Sequence, residues 1–339
     1  MDFSKVYTAE FSMRPFDVST WSAVGTPISM TALSIDASAK DSSSLLKTAS
    51  IETDNPLETG WYKVYMTATQ GDSVRVPMGV YLLSKRSTTY DRGIGPTRTS
   101  GYSSLKPADV TKMPLGSYAP MGADGASLAA SYIGSCLPVP VHVDGWFELA
   151  QHVVFPQGCS YLKAAWMLVD AGGGMISIDG DGEVHIGPLP IEPSLELGRL
   201  TEYMLLPGVS EDLDDLIPNR YYAVQGGSIA VSENYDNGPT SYTRRGFWVD
   251  ALDTSPIRVN GETLQAYADR RLRESCIRRR RVSYTREFAL GVDPMSIVRC
   301  SIPEEGLDGD ASVVSQKMDC SYGVTVAETL EFREDLWRN

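Results

Sequence analysis

The chain has 339 residues, 42% hydrophobic and 22% charged, with 30 Gly and 20 Pro spread along it. That leaves room for two or three domains around sizeable cores and favours many short strands over long helices. The formal net charge of −13 argues against a general nucleic-acid binder, which needs surplus Lys and Arg, but it is compatible with a wall past which DNA slides without being attracted.

Residues 1–104 read as β. Phe3–Met13 and Ile28–Ile35 alternate in part, and Trp61–Ala68 is the clearest strand signal, rich in aromatic and β-branched residues. A turn at Gln70–Asp72 leads into Ser73–Leu83, giving a hairpin whose second strand is expected to be an edge or to bulge at Pro77 and Gly79. Ser38–Ser44 and Arg92–Ser104 read as polar loops.

Residues 105–198 read as mixed α/β. Gly125–Cys136 is a short helix with Leu128, Tyr132 and Cys136 four apart, ended by Pro138 and Pro140. Ser160 is placed to cap a helix whose Leu162, Ala165, Trp166 and Val169 share a face, and Gly172–Gly174 ends it. Met175–Ile178 and Glu183–Ile186 follow as strands around Asp179-Gly180-Asp181-Gly182, with a proline-marked linker at Pro188, Pro190 and Pro193.

Residues 199–339 return to strands, at Tyr221–Gln225, Ser228–Ser232, Phe247–Ala251, Ser296–Ile302, Val313–Ser321 and Val324–Phe332. One helix is expected over 261–280, lined by Leu264, Tyr267, Ala268, Leu272 and Cys276.

Signals for chemistry are sparse. Cys136, Cys159, Cys276, Cys300 and Cys320 form an odd set without a CxxC pair, so free thiols in a reducing compartment are expected rather than disulfides or structural zinc. Met1–Phe11 lacks the basic and apolar regions of a signal peptide, and no window approaches the ~18 apolar residues of a membrane span. Synthesis in a cytoplasm and no membrane span are therefore expected. His142, His152 and His185 fit no metal spacing, and Asp179, Asp181 and Glu183 read as a hairpin turn rather than a calcium loop, whose later ligand positions are missing. Gly172–Gly174 follow their helix, whereas a phosphate loop precedes one. No GxSxG elbow or paired acid and base stands out, so no catalytic residue, cofactor or metal ligand is assigned.

The basic cluster is Arg270, Arg271, Arg273 and Arg278–Arg281. It reads as a solvated helix end complementing the dipole, as DNA contact, or as a subunit interface in which Arg278, Arg279, Arg280 and Arg281 meet a neighbour's carboxylates.

Four segments in order resemble the hub family of phage tails: the Val64–Leu83 strand pair, the helix and hairpin of Tyr161–Ile186, the acidic lead Asp212–Asp215 into Ile217-Pro218-Asn219 and a strand, and the helix start Gly261–Ala268. The resemblance implies an α+β, mostly β fold. Two tail-tube-like β-barrel or sandwich domains (1–104 and 199–339) would flank a smaller inserted α/β domain (105–198). It also implies a non-enzymatic homotrimer at the virion tail tip, a ring joining the tail tube to the tip around a channel for tape-measure protein and DNA. A distal tail ring protein, the tape-measure protein and tip fibre or receptor-binding proteins would be its partners. The chain ends at Asn339 without the peptidase or lysozyme-like extension of longer members, so wall digestion is expected from a partner. Rival readings are a carbohydrate-binding tail adhesin, for which Trp61, Trp146, Trp166 and Trp248 would have to form a platform, and a cell-wall hydrolase.

Overall fold

The computed structural model describes residues 7–39, 45–90, 94–200, 205–211, 216–320 and 323–337. The first eight strands are β1 (Thr8–Asp17), β2 (Ser22–Ala23), β3 (Ile28–Ser29), β4 (Ala32–Ser38), β5 (Lys47–Thr53), β6 (Gly60–Gln70), β7 (Asp72–Tyr90) and β8 (Ile94–Ser103). Period-two alternation builds β6: Tyr62, Val64, Met66 and Ala68 are buried and the residues between them are half-exposed. The β6–β7 hairpin turns at Gly71, and its register slips between Val64 and Tyr65, opposite Pro77–Gly79. β7 pairs with β6 along its length but with β8 only from Tyr81 onward, so Pro77 sits at a bulge on a stretch that β8 does not cover. Gly79 is required there. Its φ is +139°, and a Cβ would lie 2.6 Å from the hydroxyl of Tyr81, which donates to the Met78 carbonyl.

The expected loop at 92–104 is instead β8, from Ile94 onward, paired with both β5 and β7. Thr97, Thr99 and Ser103 alternate into the interior. Small hydroxyl residues carry this strand's inward face, which an apolar alternation test does not register.

The middle of the chain supplies α1 (Lys106–Val110), β9 (Tyr118–Ala119), α2 (Gly125–Gly134), β10 (Val141–Val143), β11 (Val153–Val154), α3 (Tyr161–Ala171), β12 (Gly174–Ile178) and β13 (Val184–Pro188). Ser160 caps α3 as expected, accepting from the Lys163 amide, and Leu162, Ala165, Trp166 and Val169 are all buried. Asp124 caps α2 and also accepts from the Phe147 amide, fastening the helix to a distant segment. β12 and β13 form the expected hairpin around Asp179–Gly182. That turn is docked on the first sheet. A Cβ on Gly180 would sit 2.3 Å from the Pro77 carbonyl oxygen, and one on Gly182 would sit 2.6 Å from Val80. Asp181 pairs with Lys63 at 2.5 Å, and Ser104 donates to the Gly182 carbonyl.

The remaining elements are β14 (Pro193–Arg199), β15 (Leu205–Glu211), β16 (Arg220–Gln225), β17 (Ser228–Glu233), α4 (Tyr242–Arg245), β18 (Asp250–Asp253), α5 (Leu264–Ser275), β19 (Ile277–Glu287), β20 (Ile297–Ile302), β21 (Leu307–Asp319) and β22 (Thr325–Asp335). The acidic lead Asp212–Asp215 lies outside the described residues, as does 40–44 of the expected loop at 38–44. In α5 the apolar face is as expected, with Tyr267, Ala268 and Leu272 buried against Tyr221, Ala223 and Ala230 of a small sheet ordered β17-β16-β18. The helix, however, stops at Ser275 and not at residue 280. Beyond Cys276 the chain pairs with β22 over Ile277–Glu287, because Val282, Tyr284 and Arg286 alternate into a core that a continued helix would leave open.

The principal sheet has 14 strands, ordered β15-β19-β22-β21-β4-β5-β8-β7-β6-β1-β2, with β20 and β14 branching from β21 and β3 from β1. The fold is therefore α+β and mostly β. The sheet path is open, with no closed barrel among the described residues, which corrects the barrel expectation. Its central join is β21 on β4, running from Ser315 opposite Ser38 to Asp319 opposite Ser34. Phe288, Met318, Cys320, Val324 and Val326 accordingly share a core with Met13, Leu33, Ile51, Val64 and Met66. A second contact across this join is Lys47 to Asp293 at 2.7 Å. Among the described residues, no helix is long and apolar enough to cross a membrane.

Candidate assembly surface

Strand alternation sorts the four arginines singled out from the sequence. Arg278 and Arg280 fall on the same face of β19 as Val282, Tyr284 and Arg286, extending the core-facing side past its apolar end. Arg278 pairs with Glu334 at 3.1 Å, and Arg280 donates to the Glu305 carbonyl at 3.1 Å. Arg279 and Arg281 lie on the opposite face. There the register sets Arg279 beside Arg333 of β22 and Arg281 beside Glu331. Arg281 donates through Nε and Nη2 to one Glu331 oxygen at 3.0 and 2.8 Å, Arg333 donates to the other at 2.9 Å, and Arg279 approaches at 3.8 Å. Glu331 is 4% exposed beneath them. Glu331 and Arg333 were not singled out from the sequence. Their signal is the odd-numbered alternation of β22, legible only once 277–287 is taken as a strand.

This face opens on a cleft of about 560 Å³, walled also by Asp170, Gly173 and Gly174 at the end of α3 and by Arg271 and Glu274 of α5. Arg270, Arg271 and Glu274 are joined by ion pairs at 3.0 and 2.9 Å. Arg273 instead lies over the ring of Trp337.

On the core face, Arg286 holds Glu328 through Nε and Nη2, both at 3.0 Å. Tyr284 donates to the same carboxylate, and Gln316 donates to it at 2.5 Å and to the Val292 carbonyl at 2.9 Å. All four side chains are buried. Burial first, then the Glu328 charge, drives the Tyr284 phenol well above its ordinary value. Burial opposes the Arg286 charge, but its hydrogen bonds and ion pair with Glu328 outweigh that and hold it protonated. A fixed cation against an acceptor already filled by donors moves no proton, so the set is a structural lock.

The histidines are drawn into local contacts. His142 and His185, in register on β10 and β13, stack at 4.8 Å between ring centroids. Each pairs with a hairpin carboxylate, Glu183 at 2.7 Å and Asp179 at 3.1 Å. His152 accepts from the Met121 amide through Nδ1. No group of three or more metal-ligating side chains converges among the described residues. Of the tryptophans, Trp166 is buried. Trp248 is stacked by Tyr242 at 4.3 Å between centroids and by the Arg220 guanidinium at 4.7 Å, so its faces are already in use.

No protein-family model matches the chain, and no curated protein matches it by sequence. Solved structures do. The tail protein of Neisseria meningitidis MC58 superposes with a TM-score of 0.68 at 14% identity, covering 97% of this chain and 98% of its own. The chain has a phage tail-protein fold. The 43 kDa tail protein of prophage MuSo2 from Shewanella oneidensis gives 0.66 at 13% identity, covering 95% and 98%, and the prophage tail protein gp18 of Listeria monocytogenes EGD-e gives 0.56 at 11%, covering 95% and 94%. The tail-protein fold thus extends over nearly the whole chain.

Proposed function

We propose that the chain is a non-enzymatic structural subunit of a phage or prophage-derived tail-tip hub, three copies closing a ring that joins the tail tube to the tip and lines the channel for tape-measure protein and DNA. The observation that carries this reading is the end-to-end superposition on the Neisseria meningitidis tail protein, 97% of one chain on 98% of the other. Two features support it. The long sheet ends in β15 and β2, whose outer edges have no strand partner among the described residues, and a ring closed edge to edge would cover such edges. The charge of −13 suits a bore through which DNA passes without adhering. Within the proposal, 1–104 and 199–339 are the tube-like regions and 105–198 is the insertion. Arg278–Arg281 lie at a subunit contact, with Arg279 and Arg281 outermost. A distal tail ring protein, the tape-measure protein and tip fibre or receptor-binding proteins are the partners, at the tail tip of a virion assembled in a host cytoplasm.

Light scattering on the purified chain, alone and with its distal tail ring protein, tests the reading together with negative-stain images. The expected result is a mass of three copies and a threefold ring under at least one condition. A monomer under both, or a twofold dimer, rejects it.

A further inference from the structure

The odd-numbered face of β19 and β22 is built unequally. Arg281 and Arg333 share the single carboxylate of Glu331, which is 4% exposed and sits under them as an anchor. The two arginine side chains remain 47% and 49% exposed. Across the cleft stands Arg271, half-buried and paired with Glu274 at 2.9 Å. Met295, Val313 and Leu189 add apolar wall. Planar guanidinium forks held by a common anchor, with donors to spare, match carboxylates better than a diffuse anion atmosphere does. The rest of the chain is rich in that complement, with 43 Asp and Glu against 30 Lys and Arg.

We infer that this cleft receives an acidic surface segment of a second copy of the chain. The contact is then heterologous, basic cleft on one copy and acidic surface on the next, and contacts of that kind propagate around a ring rather than pairing two copies face to face. This rests on the ring reading above and narrows it. Within the subunit contact proposed for Arg278–Arg281, it is Arg281, together with Arg271 and Arg333, that meets the acidic segment in the cleft.

The test is sedimentation velocity of the full chain at about 0.05 M and about 0.5 M salt. It compares wild type with the triple variant Arg281→Gln, Glu331→Gln, Arg333→Gln, which removes the forks and their anchor together and strands no buried charge. Arg271→Gln serves as a second variant that leaves the anchor intact. The expected result is self-association that weakens with salt and falls about tenfold or more in both variants, with unchanged thermal melting. Association of both variants at wild-type strength overturns the cleft inference and leaves the ring reading standing. A wild type that stays monomeric, alone and with its tail ring partner, overturns both. Duplex DNA binding that is lost in the triple variant while self-association is unmoved also overturns the inference, in favour of a phosphate site.

Discussion

Glu328 illustrates how much a single side chain can determine here. It is fully buried, paired with Arg286 and filled by Tyr284 and Gln316. Removing one member of such a pair leaves the other charged in the interior, at a cost of about 3–5 kcal/mol. Glu328→Ala should lower the unfolding free energy by about that amount in urea titration, and Glu328→Leu with Arg286→Met should cost much less. Asp124 offers a pH test. Burial raises its pKa, but hydrogen bonds from Ser127, Phe147 and Ala126 lower it further than burial raises it, and the net direction is down. A carboxyl depressed in the folded state contributes stability that is complete above its unfolded pKa and is lost as pH falls through the folded one. Asp124→Ala should therefore cost about 1 kcal/mol at neutral pH, with melting curves of variant and wild type converging as the solution is acidified through the carboxylate range. Burial also pushes the thiols of Cys300 and Cys320 up, to about 11 and about 12. With all five cysteines free and only Cys136 partly exposed, alkylation at mildly alkaline pH followed by mass spectrometry should mark Cys136 in the native protein and the other four only after unfolding.

At the scale of elements, the docked hairpin invites a paired comparison. Gly180 has no room for a methyl group against Pro77, whereas Gly134, at the end of α2, faces open space at negative φ. Gly180→Ala should destabilise by about 1–3 kcal/mol, and Gly134→Ala should be neutral or stabilising by up to about 1 kcal/mol. Chemical denaturation of the two variants checks both. Elements were legible in the sequence where one physical signal dominated. The apolar stripe and Ser160 cap gave α3, the glycine-rich turn gave β12–β13, and aromatic alternation gave β6. Segments were misread where competing signals were balanced. The run Arg278–Arg281 carries the helix propensity of arginine, and only pairing with β22, some fifty residues later, makes it a strand. β8 hides hydroxyls where a test for apolar periodicity looks for valine. The candidate surface was half visible for the same reason. The arginines were conspicuous as a cluster, but their division between two faces, and the buried Glu331 that unites Arg281 with Arg333, depend on strand register.

At the scale of the molecule, the 14-stranded sheet makes the two ends of the chain mechanically one body, since β21 lies between β4 and β22. The β12–β13 turn contacts that body through Asp181, Gly180 and Gly182, and Gln151 meets the small-sheet region through Arg258, whose Nε donates to both Gln151 and Gln225. In the proposed ring, a chain built this way would present its neighbours with a rigid frame, and assembly would select among its outer edges and its basic cleft rather than refold its interior.

The join of β21 to β4 also sets an order of events during translation. β4 leaves the ribosome early, with β5 soon behind it on one flank. The strand that covers its other flank is not made until Ser315–Asp319 appear. At about 5–20 residues per second that flank stays bare for some tens of seconds, a template for neighbouring nascent chains on the same message. Ribosome spacing and chaperone supply would then govern the yield of usable subunits as much as the stability of the finished fold does.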